Sequence, residues 1–444
     1  MDLSATIHTP QPVAQADRIK TVDLIRGFAL LGILLMNIPG FGINWDAWYK
    51  ILIGPHDTKD YYTLAAISSF FEGTMRGLFS MLFGAGMILF TKNKQELPDG
   101  PSVAEYYYRR LLWLVVFGMF NAYILLWFGD ILYYYGLCGM MLFVFRKTSP
   151  KWLMALAFLT MSITMFKTQL NWNETKEKRV TYLQAVKAEK DSLKLTEKQQ
   201  EAKTEWLQIE ERRHQPPDTT FINRNLRKMQ AGSYPTIFSY WIPMNADSET
   251  WGLYHQWFWD GLTMMFVGMA LFGLGFFSNK LSTSTYVMTL LIGYGIGIPL
   301  GYIAFKQGLI LQASDFTGYI DRYRISPDLL YDFRRGLQAL GHASLLILIY
   351  RSKLVPWLMK ALANVGQMAF TNYLVQSIIC TWFFYGYGFG FYNKLQFHQL
   401  YYVVFSVWIF QLIVSSIWLR YFRFGPFEWA WRSLTYWKKQ PMKK

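Results

Sequence analysis

Charge is scarce in this sequence. Asp, Glu, Lys and Arg make up 16% of its 444 residues, against about 25% in soluble proteins. The shortfall lies in long apolar runs separated by charged connections, which excludes an ordinary soluble chain and selects the membrane class. Cysteine occurs twice, at Cys138 and Cys380, each inside an apolar run, so neither a disulfide nor a thiolate metal site is expected. No His/Cys/Glu spacing resembles a metal site, and no nucleophile elbow occurs. The glycine clusters do not follow a strand, as a phosphate-cradling loop requires. The first twenty residues are polar through Arg18 and Lys20, with no early apolar core before a small-residue cleavage site. No removable signal peptide is expected, and the first apolar run serves as the insertion signal.

Apolar and aromatic residues fill the space. Hydrophobic residues make up 52% of the chain and aromatics 18%, with 18 Trp and 29 Tyr. Tyr106-Tyr107-Tyr108, Trp257-Phe258-Trp259 and Trp429-Ala430-Trp431 sit at or beside the ends of apolar runs, as interfacial anchors do. The net charge of +15 is scattered over loops and helix ends. That pattern reads as topology determinants beside anionic lipid, and no nucleic-acid partner is expected.

The runs predict an all-α, polytopic protein with about ten spans, over 22–42, 63–91, 111–128, 131–146, 152–169, 254–277, 284–305, 330–350, 361–385 and 399–420. Most reach the ~20 residues that cross the hydrocarbon. Gly129-Asp130 divides 111–146 into a tight hairpin. With the N-terminus inside, the short cytoplasmic segments carry about 21 Lys and Arg and the short outer ones about 8, so both termini are expected to be cytoplasmic. The chain thus divides into a bundle over 1–169, an extracytoplasmic insertion over 170–250 and a second bundle over 251–444. The insertion is dense in Lys, Glu, Gln and Ala from Thr175 to Arg213 and reads as one or two solvated helices closed by Pro216-Pro217. Its expected role is a lid or spacer. Gly84-Ala85-Gly86 and Gly293-Tyr294-Gly295-Ile296-Gly297 are read as close-packing points, and Pro299 as a kink.

Polar groups inside spans mark internal pairs or pathways. Asp23 and Arg26, three apart, are expected to form a salt bridge, with Arg26 alternatively holding an anionic ligand. Glu72 and Arg76, four apart, are expected to pair in the same way. Asn37, three turns beyond Arg26 and followed by Pro39, either ties helices together or faces a polar cavity. Asp130, Asp260, His255 and the pair His56-Asp57 are candidates to converge on the outer side, where a His beside a carboxylate is a usable general base. His342 reads as a satisfied core histidine. Asn372, Tyr373 and Gln376 form a polar stripe that, with Gln367, lines a cavity or glues helices.

The run Val22-Asp23-Leu24-Ile25-Arg26-Gly27-Phe28-Ala29-Leu30-Leu31-Gly32-Ile33-Leu34-Leu35-Met36-Asn37-Ile38 resembles the first-helix signature of the YeiB-like bacterial membrane proteins. So do Leu78–Gly86, Gly129-Asp130-Ile131-Leu132, Met368–Leu374 and Gly425–Thr435. The match spans nearly the whole chain outside 170–250, and implies a multi-pass protein of the bacterial cytoplasmic (inner) membrane. More distantly, Asp23, Arg26, Gly27, Ala29 and Asn37 are similar in spacing to the first helix of transmembrane acyltransferases such as heparan-α-glucosaminide N-acetyltransferase.

That resemblance implies transfer of an acyl group from cytoplasmic acyl-CoA to an acceptor at or across the membrane, with no resident cofactor. Arg26, Arg109, Arg110 and Arg146 become candidates for the coenzyme A phosphates. His56, His255 and His342, with Asp130 and Asp260, become the acid–base candidates. Asn37, Asn372 and Tyr373 are candidate hydrogen-bond donors. Asn121 stands near where many relatives carry a histidine, and Gln367 stands where an arginine is common. The alternative is a transporter or exporter of a small amphipathic solute.

Overall fold

Twenty-three residues from Lys20 to Gly42 form one apolar helix, α1, and the rest of the chain assembles around it. In the computed structural model, which describes residues 18–92, 102–214, 219–313 and 316–444, every named element is helical. After α1 come α2 (Trp45–Ile53), α3 (Lys59–Phe71), α4 (Thr74–Lys92) and α5 (Val103–Met119), which runs on through a π turn at Phe120–Ile124. Next are α6 (Leu132–Leu142), α7 (Pro150–Lys190), α8 (Glu197–His214), α9 (Thr219–Ala231) and α10 (Tyr234–Asp247), followed by a π segment at Ser248–Trp257. The remainder comprises α11 (Phe258–Gly273), α12 (Thr283–Ala313), α13 (Phe316–Arg322), α14 (Tyr331–Ser352), α15 (Pro356–Gln367), α16 (Ala369–Phe384), α17 (Phe397–Tyr421) and α18 (Pro426–Tyr436).

Local chemistry sets the helix starts. Asn44, Thr58 and Ser102 accept the orphan amides of Ala47, Tyr61 and Glu105, and prolines open α7, α15 and α18, where a missing N–H costs nothing. The chain runs back and forth between two ends. At one end α1 begins, Thr21 donates to the Phe277 carbonyl at 2.7 Å and Trp431 donates to the Arg110 carbonyl at 2.8 Å. At the other, the Asn393 amide donates to Gly42 at 2.7 Å and His398 meets Asp60 at 2.6 Å. Both described ends of the chain lie at the first, which we call the terminus-bearing end; the insertion lies at the other.

α1 is central, packed against α4, α14, α15, α16 and α17, with 67% of its apolar window buried; in α7 and α12 the share is 17%. Those perimeter helices expose large apolar side chains such as Phe158, Phe166, Leu291 and Ile303, as does α17 with Phe405 and Ile409. No water-soluble surface presents such a belt. Among the described residues, five helical segments, the α3–α4 run counted as one, are long and apolar enough to cross a bilayer. This is a membrane protein.

Several expected spans are subdivided. The run 63–91 breaks at Glu72-Gly73, where Gly73 adopts φ +70°, a left-handed conformation open to glycine. The run 361–385 breaks between Gln367 and Ala369, and 131–146 ends in a 3₁₀ turn at Phe143–Phe145. α12 continues through Pro299 as one helix. The insertion has no boundary at residue 169, because α7 carries straight on to Lys190. α8 folds back on it through Lys178–Glu205, Lys198–Glu177 and Lys203–Glu189 ion pairs, with Trp206 fully buried. Pro216-Pro217 lies outside the described residues.

Candidate functional site

Where α1 reaches the insertion-bearing end, the helices part around a cavity of about 1250 Å³. Asn37 on α1, Arg76 on α4, Asp130 in the α5–α6 turn and Asp260 on α11 line it, together with Glu72 and His255. The walls are aromatic, with Trp48, Trp127, Tyr133, Trp241, Trp257 and Tyr401 among them. The insertion supplies part of the wall through Tyr240, Trp241, Asn245 and Glu249. Burial raises the Glu249 carboxyl above its ordinary range, against the hydrogen bond from Tyr123 at 2.9 Å.

Asp130 is held on both oxygens. Asn121, itself buried, donates to Oδ1 at 2.8 Å and the Tyr133 amide to Oδ2 at 2.9 Å. The Tyr373 hydroxyl lies 3.4 Å from Oδ1 while accepting from the Ile131 amide at 3.1 Å. The carboxylate is thus oriented by a buried amide and a phenol at the cavity wall.

A second group forms the floor. Asp260 pairs with Arg76 at 3.2 Å and with the fully buried Arg335, whose Nε donates to Asp332 at 3.0 Å. Arg76 also lies 4.6 Å from the Trp257 ring and donates to the Tyr331 hydroxyl at 3.3 Å. Its buried Nε has no hydrogen-bond partner among the described residues. Glu72 pairs with Arg334 at 3.2 Å, and not with Arg76 as expected. The cause is the break at Glu72-Gly73: with Glu72 in the turn after α3 and Arg76 on α4, four-residue spacing no longer stacks them. Asp332, Arg334 and Arg335 escaped the sequence reading, although three charges inside the expected span 330–350 were the available signal.

Other candidates fall elsewhere. His342 meets the Tyr294 hydroxyl at 2.7 Å and the Phe70 carbonyl at 3.1 Å, a satisfied core histidine outside the cavity lining. His56 stacks on Tyr61 at 4.4 Å and approaches the Leu52 carbonyl at 3.4 Å, also outside it. His255 lines the cavity but turns to the Trp251 carbonyl at 2.9 Å and stacks on that ring, so the expected histidine–carboxylate dyad does not form there. Asn372 donates to Ser415 at 2.9 Å and Gln376 to Gln411 at 3.1 Å: these residues glue α16 to α17, whereas Tyr373 between them serves Asp130.

At the terminus-bearing end Asp23 binds Arg26 and Arg18, each at 2.9 Å. Arg109 pairs with Glu105. Arg146 donates to the Phe143 carbonyl at 3.0 Å and covers that ring. Arg110 lies 3.8 Å from the centre of the Trp431 ring. Among the described residues no group of three or more His, Cys, Asp or Glu is arranged to hold a metal ion.

Residues 271–438 match a family model described as a protein of unknown function, DUF418. The chain is 30% identical to the uncharacterized protein YeiB of Escherichia coli (strain K12), over 94% of this chain and 96% of that protein. The chain belongs to the YeiB-like family. It is also 28% identical to the uncharacterized protein YxaH of Bacillus subtilis (strain 168), over 98% of each chain. A 39.9 kDa protein from the amylase 3' region of Bacillus acidopullulyticus is 23% identical over 97% of each. These matches span 94–98% of this chain. No solved structure matches.

Proposed function

We propose that this YeiB-like protein is a ten-span acyltransferase of the bacterial cytoplasmic membrane, with both termini cytoplasmic. It moves an acyl group from cytoplasmic acyl-CoA to a hydroxyl- or amine-bearing acceptor in the outer cavity. The observation that carries the reading is the oriented Asp130 carboxylate in the wall of a roomy aromatic cavity that Asn37 and Arg76 also line. Aromatic walls with a few convergent polar groups suit a small amphipathic or sugar-like molecule. The acceptor attacks the thioester carbonyl and loses its proton to Asp130; collapse of the tetrahedral centre breaks the C–S bond and expels the coenzyme A thiolate, which takes that proton from Asp130 and leaves the carboxylate as it began. Asn37 is the donor we assign to the transient oxyanion. Arg26 and Asn37 lie about 16 Å apart along α1, a span suited to an extended pantetheine arm.

The test is purified protein with radiolabelled acetyl-CoA and a panel of sugars and amines. Label appearing in an acceptor, with turnover lost in Asp130→Asn while coenzyme A binding persists, is the expected result. Absence of coenzyme A binding for short and long acyl chains overturns it. The continuous aromatic wall also favours a second reading, transport of a small amphipathic solute, for which uptake into proteoliposomes without thioester consumption is the signature.

A further inference from the structure

Among the described residues, the terminus-bearing end carries arginines that no carboxylate pairs with. Arg110, near the start of α5, lies against the Trp431 ring of α18, and the next residue of α18, Arg432, covers Phe424 at 4.3 Å. Both are partly buried, and among the described residues neither has an ion-pair or hydrogen-bond acceptor for its guanidinium. Among the described residues, the nearby carboxylates Asp23 and Glu428 are committed. Asp23 is bound by Arg18 and Arg26. Glu428 accepts from the Phe370 and Thr371 amides at 2.7 and 3.0 Å and from the Thr371 hydroxyl at 2.5 Å.

The cations are also near one another. Arg110 lies within electrostatic reach of Arg26, and burial, then the charges of Arg110 and Arg18, lowers the Arg432 pKa to about 9. Partly buried guanidinium groups that repel each other and lack acceptors are a costly arrangement without an anion between them. α18 also carries Trp429 and Trp431 and ends at the exposed Trp437, a composition found in helices lying at a membrane interface.

We infer that Arg110 and Arg432, backed by Arg26, form a phosphate-binding site between α5 and α18. The guanidinium fork suits phosphate oxygens in a way a lysine does not. The phosphate comes either from an anionic lipid headgroup or from a soluble phosphate ester. The inference is independent of acyl transfer, because binding is scored without turnover.

The test has two arms on the full-length protein. Inorganic pyrophosphate is titrated calorimetrically into detergent-solubilised protein. Phosphatidylglycerol retention is read by native mass spectrometry from nanodiscs of mixed phosphatidylcholine and phosphatidylglycerol. Wild type is expected to bind at least one probe, with affinity falling as salt rises. Arg110→Gln and Arg432→Gln each weaken that binding roughly tenfold or more. Lys360→Gln, an exposed charge at the same end, binds as wild type. Arg432→Lys keeps the charge without the fork and falls between, which keeps the test decisive should the glutamine variants fail to fold. Phosphatidylglycerol alone identifies a lipid source, and pyrophosphate alone a soluble one. Binding of neither probe by wild type, or undiminished binding by both glutamine variants, overturns the site.

Discussion

Alanine at Gly84 separates packing from propensity. α4 and α11 cross with backbone against backbone: a methyl on Gly84 would lie 2.2 Å from the Met265 carbonyl oxygen, and one on Gly268 1.9 Å from that of Met81. Ordinary contact begins at 3.4 Å, so the helices must part by roughly 1 Å, and neither carbonyl is a flexible chain end that can swing aside. Overpacking of this kind costs about 1–3 kcal/mol. Two residues along α4, a methyl on Gly86 would meet nothing within 4 Å, and Gly86→Ala should gain about 0.5–1 kcal/mol from helix propensity. The two variants, identical in chemistry and two positions apart on one helix, share the propensity gain and should therefore differ by the overpacking term alone, roughly 1–3 kcal/mol. Denaturant-induced unfolding in mild detergent, followed by tryptophan fluorescence, reads the difference. Equal stability of the two, or a destabilised Gly86→Ala beside an unaffected Gly84→Ala, would refute the crossing.

Glu428→Ala strips the acceptor from two buried amides at the start of α16, so it should lose about 1–3 kcal/mol per orphaned group, with Glu428→Gln milder in the same unfolding assay. Asp260→Ala leaves Arg335 buried beside Arg76 and should cost about 3–5 kcal/mol; the double variant with Arg335→Ala should cost less than the sum of the singles, a coupling that a double-mutant cycle measures. Burial, reinforced by Glu72, raises the Asp328 carboxyl above its ordinary range. The folded state therefore holds that proton more tightly, and stability should fall as pH rises from the unfolded carboxylate pKa through the raised one. Asp328→Asn should flatten that slope in melts taken from pH 4 upward, and an unchanged slope would count against it.

The helical character was legible because apolar runs must close their backbone hydrogen bonds internally. Asp130, Asp260, Arg76 and Asn37 were legible as polar groups in costly places, and the structure brings them to one cavity. What the sequence hid depends on breaks. Glu72 and Arg76 read as a helical pair until Gly73 is seen at positive φ. The boundary at 169 vanished because nothing in α7 stops a helix as it leaves the apolar stretch: Asn171 through Lys190 continue with good helix formers. The histidines misled because a ring beside a carboxylate in sequence need not meet it in space. His255 turns to Trp251, while the one His–Asp contact among the described residues joins His398 to Asp60, far apart along the chain.

Which face the cavity opens on decides the account. Cys138 and Cys380 are fully buried, so a membrane-impermeant maleimide should report only introduced thiols. Ser248→Cys lines the cavity, and Lys439→Cys is exposed beyond α18. Intact cells should label Ser248→Cys at once and Lys439→Cys after permeabilisation alone; the reverse pattern would put the cavity on the wrong side of the membrane and contradict the account.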